Sequence, residues 1–238
     1  MIKKENVFFL LILLGLFFSL FNTFYQVEFF DNFRFNSVEV KTHSMVTGDI
    51  LSFWREGFSI TNELKMGKSY FETGGEYARP YLPSRIYAFF SIILSQDLMS
   101  SDGSVSLEFN KTAILITQTV IYYLLITWLY FILINYIPKN ISKVSILFLA
   151  FEPTLFMYHS SLWSESIFFS FQLFLLILVL FKNQNYLSVI FIGLVLGILY
   201  LQRSVAIFYV LPVLIFFYIK FRKNFFKHIS LILMTLFF

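Results

Sequence analysis

The sequence predicts an all-α, polytopic membrane protein with about six to seven transmembrane helices and one long external loop after the first. Three observations point there. Apolar residues make up 58% of the 238 residues and charged ones only 13%, whereas a water-soluble domain carries about a quarter charged residues. The mean hydropathy is +0.75. The charges also sit in short clusters between apolar runs of membrane-spanning length.

The first apolar run covers residues 7–25, about 19 residues, enough for the roughly 30 Å hydrocarbon core. Lys3 and Lys4 precede it and place the N-terminus in the cytoplasm. The run is long for a signal peptide and no small-residue cleavage site follows, so residues 1–25 read as an uncleaved first transmembrane helix. Residues 26–110 then break the apolar pattern with charges of both signs, the Gly74-Gly75 turn signal, Pro80 and Pro83. They read as an external loop, periplasmic or luminal. Inside it, residues 86–95 are apolar for only about 10 residues, too few to span. Pro83 stands near their start, where a proline costs a helix least. Residues 84–97 therefore read as a re-entrant or interfacial helix.

Residues 111–238 read as a transmembrane helical bundle. Apolar runs cover residues 111–137, 144–158, 162–181, 186–201 and 205–219. Pro138-Lys139-Asn140, His159-Ser160-Ser161, the polar turn at 182–185 and Gln202-Arg203-Ser204 separate them. A basic cluster of Lys220, Arg222, Lys223 and Lys227 follows, and residues 229–238 begin a further apolar run with no polar residue to close it. That ending reads as a bundle truncated at the C-terminus. Threaded from a cytoplasmic N-terminus, Lys139, Lys143, Lys182 and the Lys220–Lys227 cluster all fall inside, and the short external turns carry only Glu165 and Arg203 as charges. Every short loop then obeys the positive-inside rule. An extra crossing at residues 86–95 would invert them, which supports the re-entrant reading.

Composition also excludes function classes. The net charge of +4 comes from those inter-span clusters, so it points to membrane topology and not to nucleic acid. The chain has no Cys, which removes disulfides, thiolate metal sites and a Cys nucleophile. His43, His159 and His228 lack metal-ligand spacing, and no P-loop, GxSxG or dinucleotide fingerprint occurs. The Asn110-Lys111-Thr112 and Asn140-Ile141-Ser142 sequons abut the membrane and fall on the cytoplasmic side, respectively. No cofactor is implied, and metal ligands are assigned to no residue; whether a divalent metal assists is left open.

Ionisable groups at or near spans are functional candidates by default. Asp49, in Thr47-Gly48-Asp49-Ile50, is a candidate general base, or else a helix N-cap or solvated acid. Asp31, Glu39, Glu72 and Glu76 compete in the same loop. Glu165, in Trp163-Ser164-Glu165-Ser166, either complements a helix dipole or serves a site together with His159. Arg203 either snorkels to the interface or grips phosphate oxygens through its guanidinium. Arg79 and Arg85, flanking Pro80-Tyr81-Leu82-Pro83, are further phosphate candidates.

The order of these features carries a resemblance. It runs from one helix, through an external loop with an early Gly48-Asp49, to a Pro80-x-x-Pro83 segment leading into a short helix. Pro153 and Ser164-Glu165-Ser166-Ile167-Phe168 follow, then Gly193-Leu194-Val195-Leu196-Gly197 running to Gln202-Arg203. The chain resembles the N-terminal half of a GT-C type membrane glycosyltransferase, the group that includes protein O-mannosyltransferases and lipid A aminoarabinose transferases. Each motif is short, and the resemblance covers nearly the whole chain.

The resemblance implies a polyprenyl-phosphate sugar as donor and a lipid, glycan or protein acceptor, on the external face of a multi-pass protein of the bacterial inner membrane. It implies Asp49 as the base that activates the acceptor, with Glu165 and Arg203 near the donor site. Many relatives carry a second acid beside the loop Asp, whereas Gly48 and Ile50 flank Asp49 here. A polysaccharide polymerase or ligase also pairs many spans with a large external loop, usually placed late. A transporter or flippase would show ionisable or broken-helix features near mid-span.

Overall fold

A computed structural model describes residues 4–33, 49–69, 73, 82–99, 111–159, 164–181, 185–221 and 225–236, with residues 25–33 and 49–51 given by backbone alone. Among the described residues the regular structure is all helical. In chain order the helices are α1 (Lys4–Phe33), α2 (Asp49–Lys65), α3 (Leu82–Leu94), α4 (Lys111–Leu133), α5 (Lys139–Phe151), α6 (Pro153–His159), α7 (Ser164–Leu180) and α8 (Tyr186–Gln202). A 3-10 segment, Ser204–Tyr209, precedes α9 (Val210–Lys220) and α10 (Phe225–Leu236). Two stretches are long and apolar enough to cross a membrane, Glu5–Phe24 and Lys111–Leu133. The remaining apolar helices, including α3 and α7 to α10, are shorter.

The chain divides into two compact units. The first comprises residues 1–123 and 150–167, the second residues 124–149 and 168–238. In the first, α1 is sorted by side-chain size. Phe8, Ile12, Gly15, Ser19 and Thr23 form a buried stripe with helical spacing, while Leu10, Leu13, Phe17 and Phe21 are each about 60% exposed. At Gly15 a Cβ would stand 2.8 Å from the Ala150 carbonyl. That close approach is closed by the Tyr123 hydroxyl, which donates to Ala150 O at 2.7 Å.

α2 and α3 pair within what the sequence marks as the external loop. Their core gathers Phe53, Trp54, Tyr87, Leu98, Met99, Ile114 and Leu115. Trp54 is fully buried, and its indole N–H donates to Leu98 O at 2.7 Å, the partner that a buried Trp needs. α2 ends in a Schellman-type turn: Gly67 takes φ +87°, and Lys68 N–H returns to Glu63 O at 3.1 Å. α3 begins with Pro83 in its first turn, as expected. It buries Tyr87, Ala88 and Ser91 and leaves Phe89, Ile92 and Ile93 exposed.

The structure differs from the expected spans in three places. α1 runs on to Phe33, through Gln26 and Glu28, because nothing in that stretch breaks a helix. The run at 144–158 is not one helix. It is cut at Glu152, because Pro153 has no N–H to continue the ladder and its ring crowds the preceding turn. Glu152 caps the new start, its carboxylate accepting from Leu155 N–H at 2.8 Å. The run at 205–219 opens as a 3-10 segment before α9.

In the second unit, α8 and α10 lie side by side and run the same way: Tyr186 faces His228, and Gly193 faces Ile232 and Thr235. Asn185 caps α8 by accepting from Ser188 N–H at 2.8 Å. Phe168, Leu175, Ile192, Leu196, Leu199, Phe217 and Ile232 belong to the core of this unit. Large apolar side chains again face outward, among them Leu124, Phe208, Leu211 and Ile219.

Candidate functional site

The candidates fall into both units, and the first holds most of them. Asp49 is the first residue of α2. That is a position where a carboxylate is favoured by the orphan N–H groups and the dipole; its side chain lies outside the described residues. Arg79 lies outside them altogether, as do Asp31's side chain, Glu39, Glu72, Glu76 and His43.

Arg85 stands on α3, half buried, and its guanidinium donates to Thr73 O at 3.0 Å. Its charge also bears on Glu56, an acid of α2 that hydropathy alone did not mark. Glu56 is 1% exposed and accepts from the Ser84 hydroxyl at 2.6 Å through Oε2, while Oε1 has no hydrogen-bond partner among the described residues. Burial raises its pKa, partly offset by the Ser84 bond and by Arg85. The signal for it was periodicity: Phe53, Glu56, Gly57 and Ile60 share one helical face.

Glu165 occupies the first turn of α7, where the helix dipole favours an acid. Its negative charge adds to burial in pushing the Tyr87 hydroxyl above its usual range. Tyr87 packs against Trp54 with tilted rings whose centres lie 5.0 Å apart.

His159 ends α6 and is fully buried. Its Nδ1 lies 2.7 Å from Ser166 Oγ, its ring centre 4.4 Å from that of Tyr122, and its backbone oxygen accepts from Gln118 Nε2 at 2.8 Å. Among the described residues Nε2 has no hydrogen-bond partner. Burial lowers the imidazole pKa to about 4. His159 is thus a neutral, enclosed group held by the start of α7, and the expected pairing with Glu165 is replaced by one with Ser166. Enclosed in this way, it is not presented to a phosphate from outside.

Arg203 belongs to the second unit. It leaves α8 in extended backbone, φ −153° and ψ 126°, with its N–H returned to Leu199 O. Its guanidinium lies 5.7 Å from the centre of the Phe168 ring, in cation–π range. Nearby, Gln172 Nε2 donates to the Tyr209 hydroxyl, and Tyr209 packs on Phe168 with ring centres 6.3 Å apart. Gly193, part of the glycine pattern noted in the sequence, is explained by packing: a Cβ there would collide with the Thr235 side chain and come within 2.8 Å of Ile232 O.

Among the described residues, no three His, Asp or Glu side chains gather in a way that could hold a metal ion.

No family model, curated protein or solved structure matches the chain. Function therefore has to be argued from the residues.

Proposed function

We propose that the chain is a multi-pass protein of the bacterial inner membrane and acts as a glycosyltransferase, moving a sugar from a polyprenyl-phosphate donor to an acceptor on the external face. The membrane half of this reading is supported by an inverted polarity. Ser19, Thr23, Gln118, Thr119, Ser166 and Gln202 are buried, while Leu10, Phe17, Leu124, Phe208 and Ile219 are exposed along apolar helices. In water that arrangement is costly, whereas in a bilayer small and polar residues belong at helix contacts and large apolar ones face lipid.

The catalytic half rests on the motif order, and the packing of the loop helices supports it. α2, which begins at Asp49, and α3 share one core around Trp54 and Tyr87. In the proposed step Asp49 takes the proton of an acceptor hydroxyl. That oxygen attacks the anomeric carbon, and the bond from this carbon to the donor phosphate breaks. Polyprenyl phosphate departs with the electron pair, and the anomeric centre is inverted. Arg85, on α3 of the same unit, is the proposed counter-charge for the phosphate.

The test is transfer from radiolabelled polyprenyl-phosphate sugars by the purified chain in proteoliposomes. Asp49→Ala should lower the rate by about 10²- to 10⁴-fold, the usual contribution of a positioned base. Absence of transfer from any such donor overturns the assignment.

One observation favours a second reading. The helix broken at Glu152 and Pro153 places an acid between two helix ends, an arrangement that transporters use near mid-membrane. Movement of a lipid-linked sugar between leaflets, lost in Glu152→Gln but not in Asp49→Ala, would favour it over transfer.

A further inference from the structure

The second unit holds an open groove of about 390 Å³ between α7 and α9, whose lining residue Tyr209 also packs on Phe168. Leu175, Leu176, Val179, Pro212, Val213 and Phe216 make up most of its apolar lining. Along α7 it extends from Gln172 to Leu180, about 12 Å at 1.5 Å per residue, close to the depth of one bilayer leaflet.

Its two ends differ in charge. At one end the Gln172 amide is engaged with the Tyr209 hydroxyl. Beyond the other, past the lining residue Phe216, stands the Lys220 ammonium, 5.0 Å from the centre of that ring. Lys220 donates to Phe181 O at 3.2 Å and to the Tyr136 hydroxyl at 3.4 Å. Among the described residues these two acceptors take two of the three ammonium donors. The Tyr136 and Phe221 rings lie 5.9 and 5.3 Å from the ammonium. Lys227 follows in the same basic segment, which the positive-inside rule assigns to the cytoplasmic leaflet.

We infer that this groove is a site for one anionic phospholipid of the cytoplasmic leaflet, an acyl chain lying between α7 and α9 and the phosphate on Lys220. The inference rests on the membrane reading but not on the glycosyltransferase one. Bilayer is the medium around such a groove, and a lysine beside an apolar channel selects a lipid by its headgroup charge. The site needs neither Asp49 nor Arg85.

The test is lipid retention by the full chain, measured by native mass spectrometry after reconstitution in nanodiscs of phosphatidylglycerol or of phosphatidylcholine. The expected result is at least a tenfold preference for phosphatidylglycerol. Lys220→Gln should abolish that preference while chain-length dependence persists. Leu176→Trp, which fills the groove from an exposed position, should lower retention of both lipids, and unchanged thermal unfolding without added lipid shows that each variant is folded. Equal retention of both lipids by the unaltered chain overturns the site, as does a preference that survives Lys220→Gln. A dimeric mass with no lipid retained assigns the groove to a second copy instead. Retained polyprenyl phosphate displacing phosphatidylglycerol assigns it to the donor. A chain that alkaline carbonate washes off membranes overturns the membrane reading and the site together; one that stays while failing the lipid test overturns the site alone.

Discussion

His159 Nδ1 and Ser166 Oγ meet at 2.7 Å inside the first unit, joining the end of α6 to the first turn of α7, while Nε2 of the same ring has no hydrogen-bond partner among the described residues. The pair bridges the two helix ends. A buried ring with one unmet nitrogen tolerates little further loss.

Ser166→Ala should therefore destabilise the chain by about 1–3 kcal/mol, the desolvation cost of leaving a second polar group unmet. Replacing both partners, His159→Phe with Ser166→Ala, should cost less than Ser166→Ala alone, because the imidazole nitrogens are removed together with the hydroxyl. Unfolding in detergent, followed by circular dichroism, measures the difference. A double variant less stable than the single one would show that packing, not the hydrogen bond, sets the cost.

The same histidine gives a pH dependence of definite sign. Its folded pKa, about 4, lies below the ordinary value of 6.5, so the unfolded chain binds more protons between those values. Stability contributed by neutral His159 is present above about pH 6.5 and is lost as pH falls toward 4. Unfolding midpoints taken across that window should decline on acidification, and the decline should shrink in His159→Phe.

Glu56 acts in the opposite direction. Its folded pKa is raised from 4.5 by burial, so the folded chain holds the proton more tightly, and this contribution is lost as pH rises through the folded value. Glu56→Gln keeps an acceptor for Ser84 and removes the charge. It should raise stability at neutral pH and flatten the dependence above pH 4.5. Ser84→Ala removes the bond that lowers the pKa and should steepen the loss. Difference curves against the unaltered chain separate this titration from that of His159.

How much of this was legible follows from the range of each cause. The start of α4 at Lys111 and of α8 at Tyr186 could be read from apolar runs and the polar turn at 182–185, because both signals are local. A hydropathy run averages over single residues, so the break at Pro153 was hidden inside an apolar stretch. α2 was hidden for the opposite reason. Its polar residues look like loop until Phe53, Glu56, Gly57 and Ile60 are placed on one face. Of the site, Glu165 at a helix start and Arg203 at a helix end were read correctly as terminal positions. The bearing of Glu165 on Tyr87 joins residues far apart in sequence, so only the folded chain reveals it.

Gly193 tests the packing of the second unit. Gly193→Ala places a methyl group against Thr235 and 2.8 Å from Ile232 O, so α10 has to shift. Overpacking of this kind costs about 1–3 kcal/mol. Adding Thr235→Ala should recover only part of the loss, since the backbone carbonyl of Ile232 cannot retreat without its helix. Full recovery would place the whole conflict in the Thr235 side chain. Thermal unfolding of the three variants decides between these outcomes.

The expected topology can be tested with unusual economy, because the chain has no cysteine and each introduced thiol reports alone. Ser69 is exposed beyond the end of α2, Lys139 is exposed before α5, and Lys227 is exposed on α10. If the loop at 26–110 is external, Ser69→Cys in intact cells should react with a membrane-impermeant maleimide. Lys139→Cys and Lys227→Cys should react only after the membrane is opened. The lysines carry the argument: the positive-inside rule acts through Lys and Arg near short loops, and Lys139 and Lys227 lie in two separate basic turns. Labelling of Lys139→Cys from outside would add or remove a crossing before residue 139, most directly by turning α3 from an interfacial into a spanning helix. The side assigned to Glu165, on α7, would invert with it.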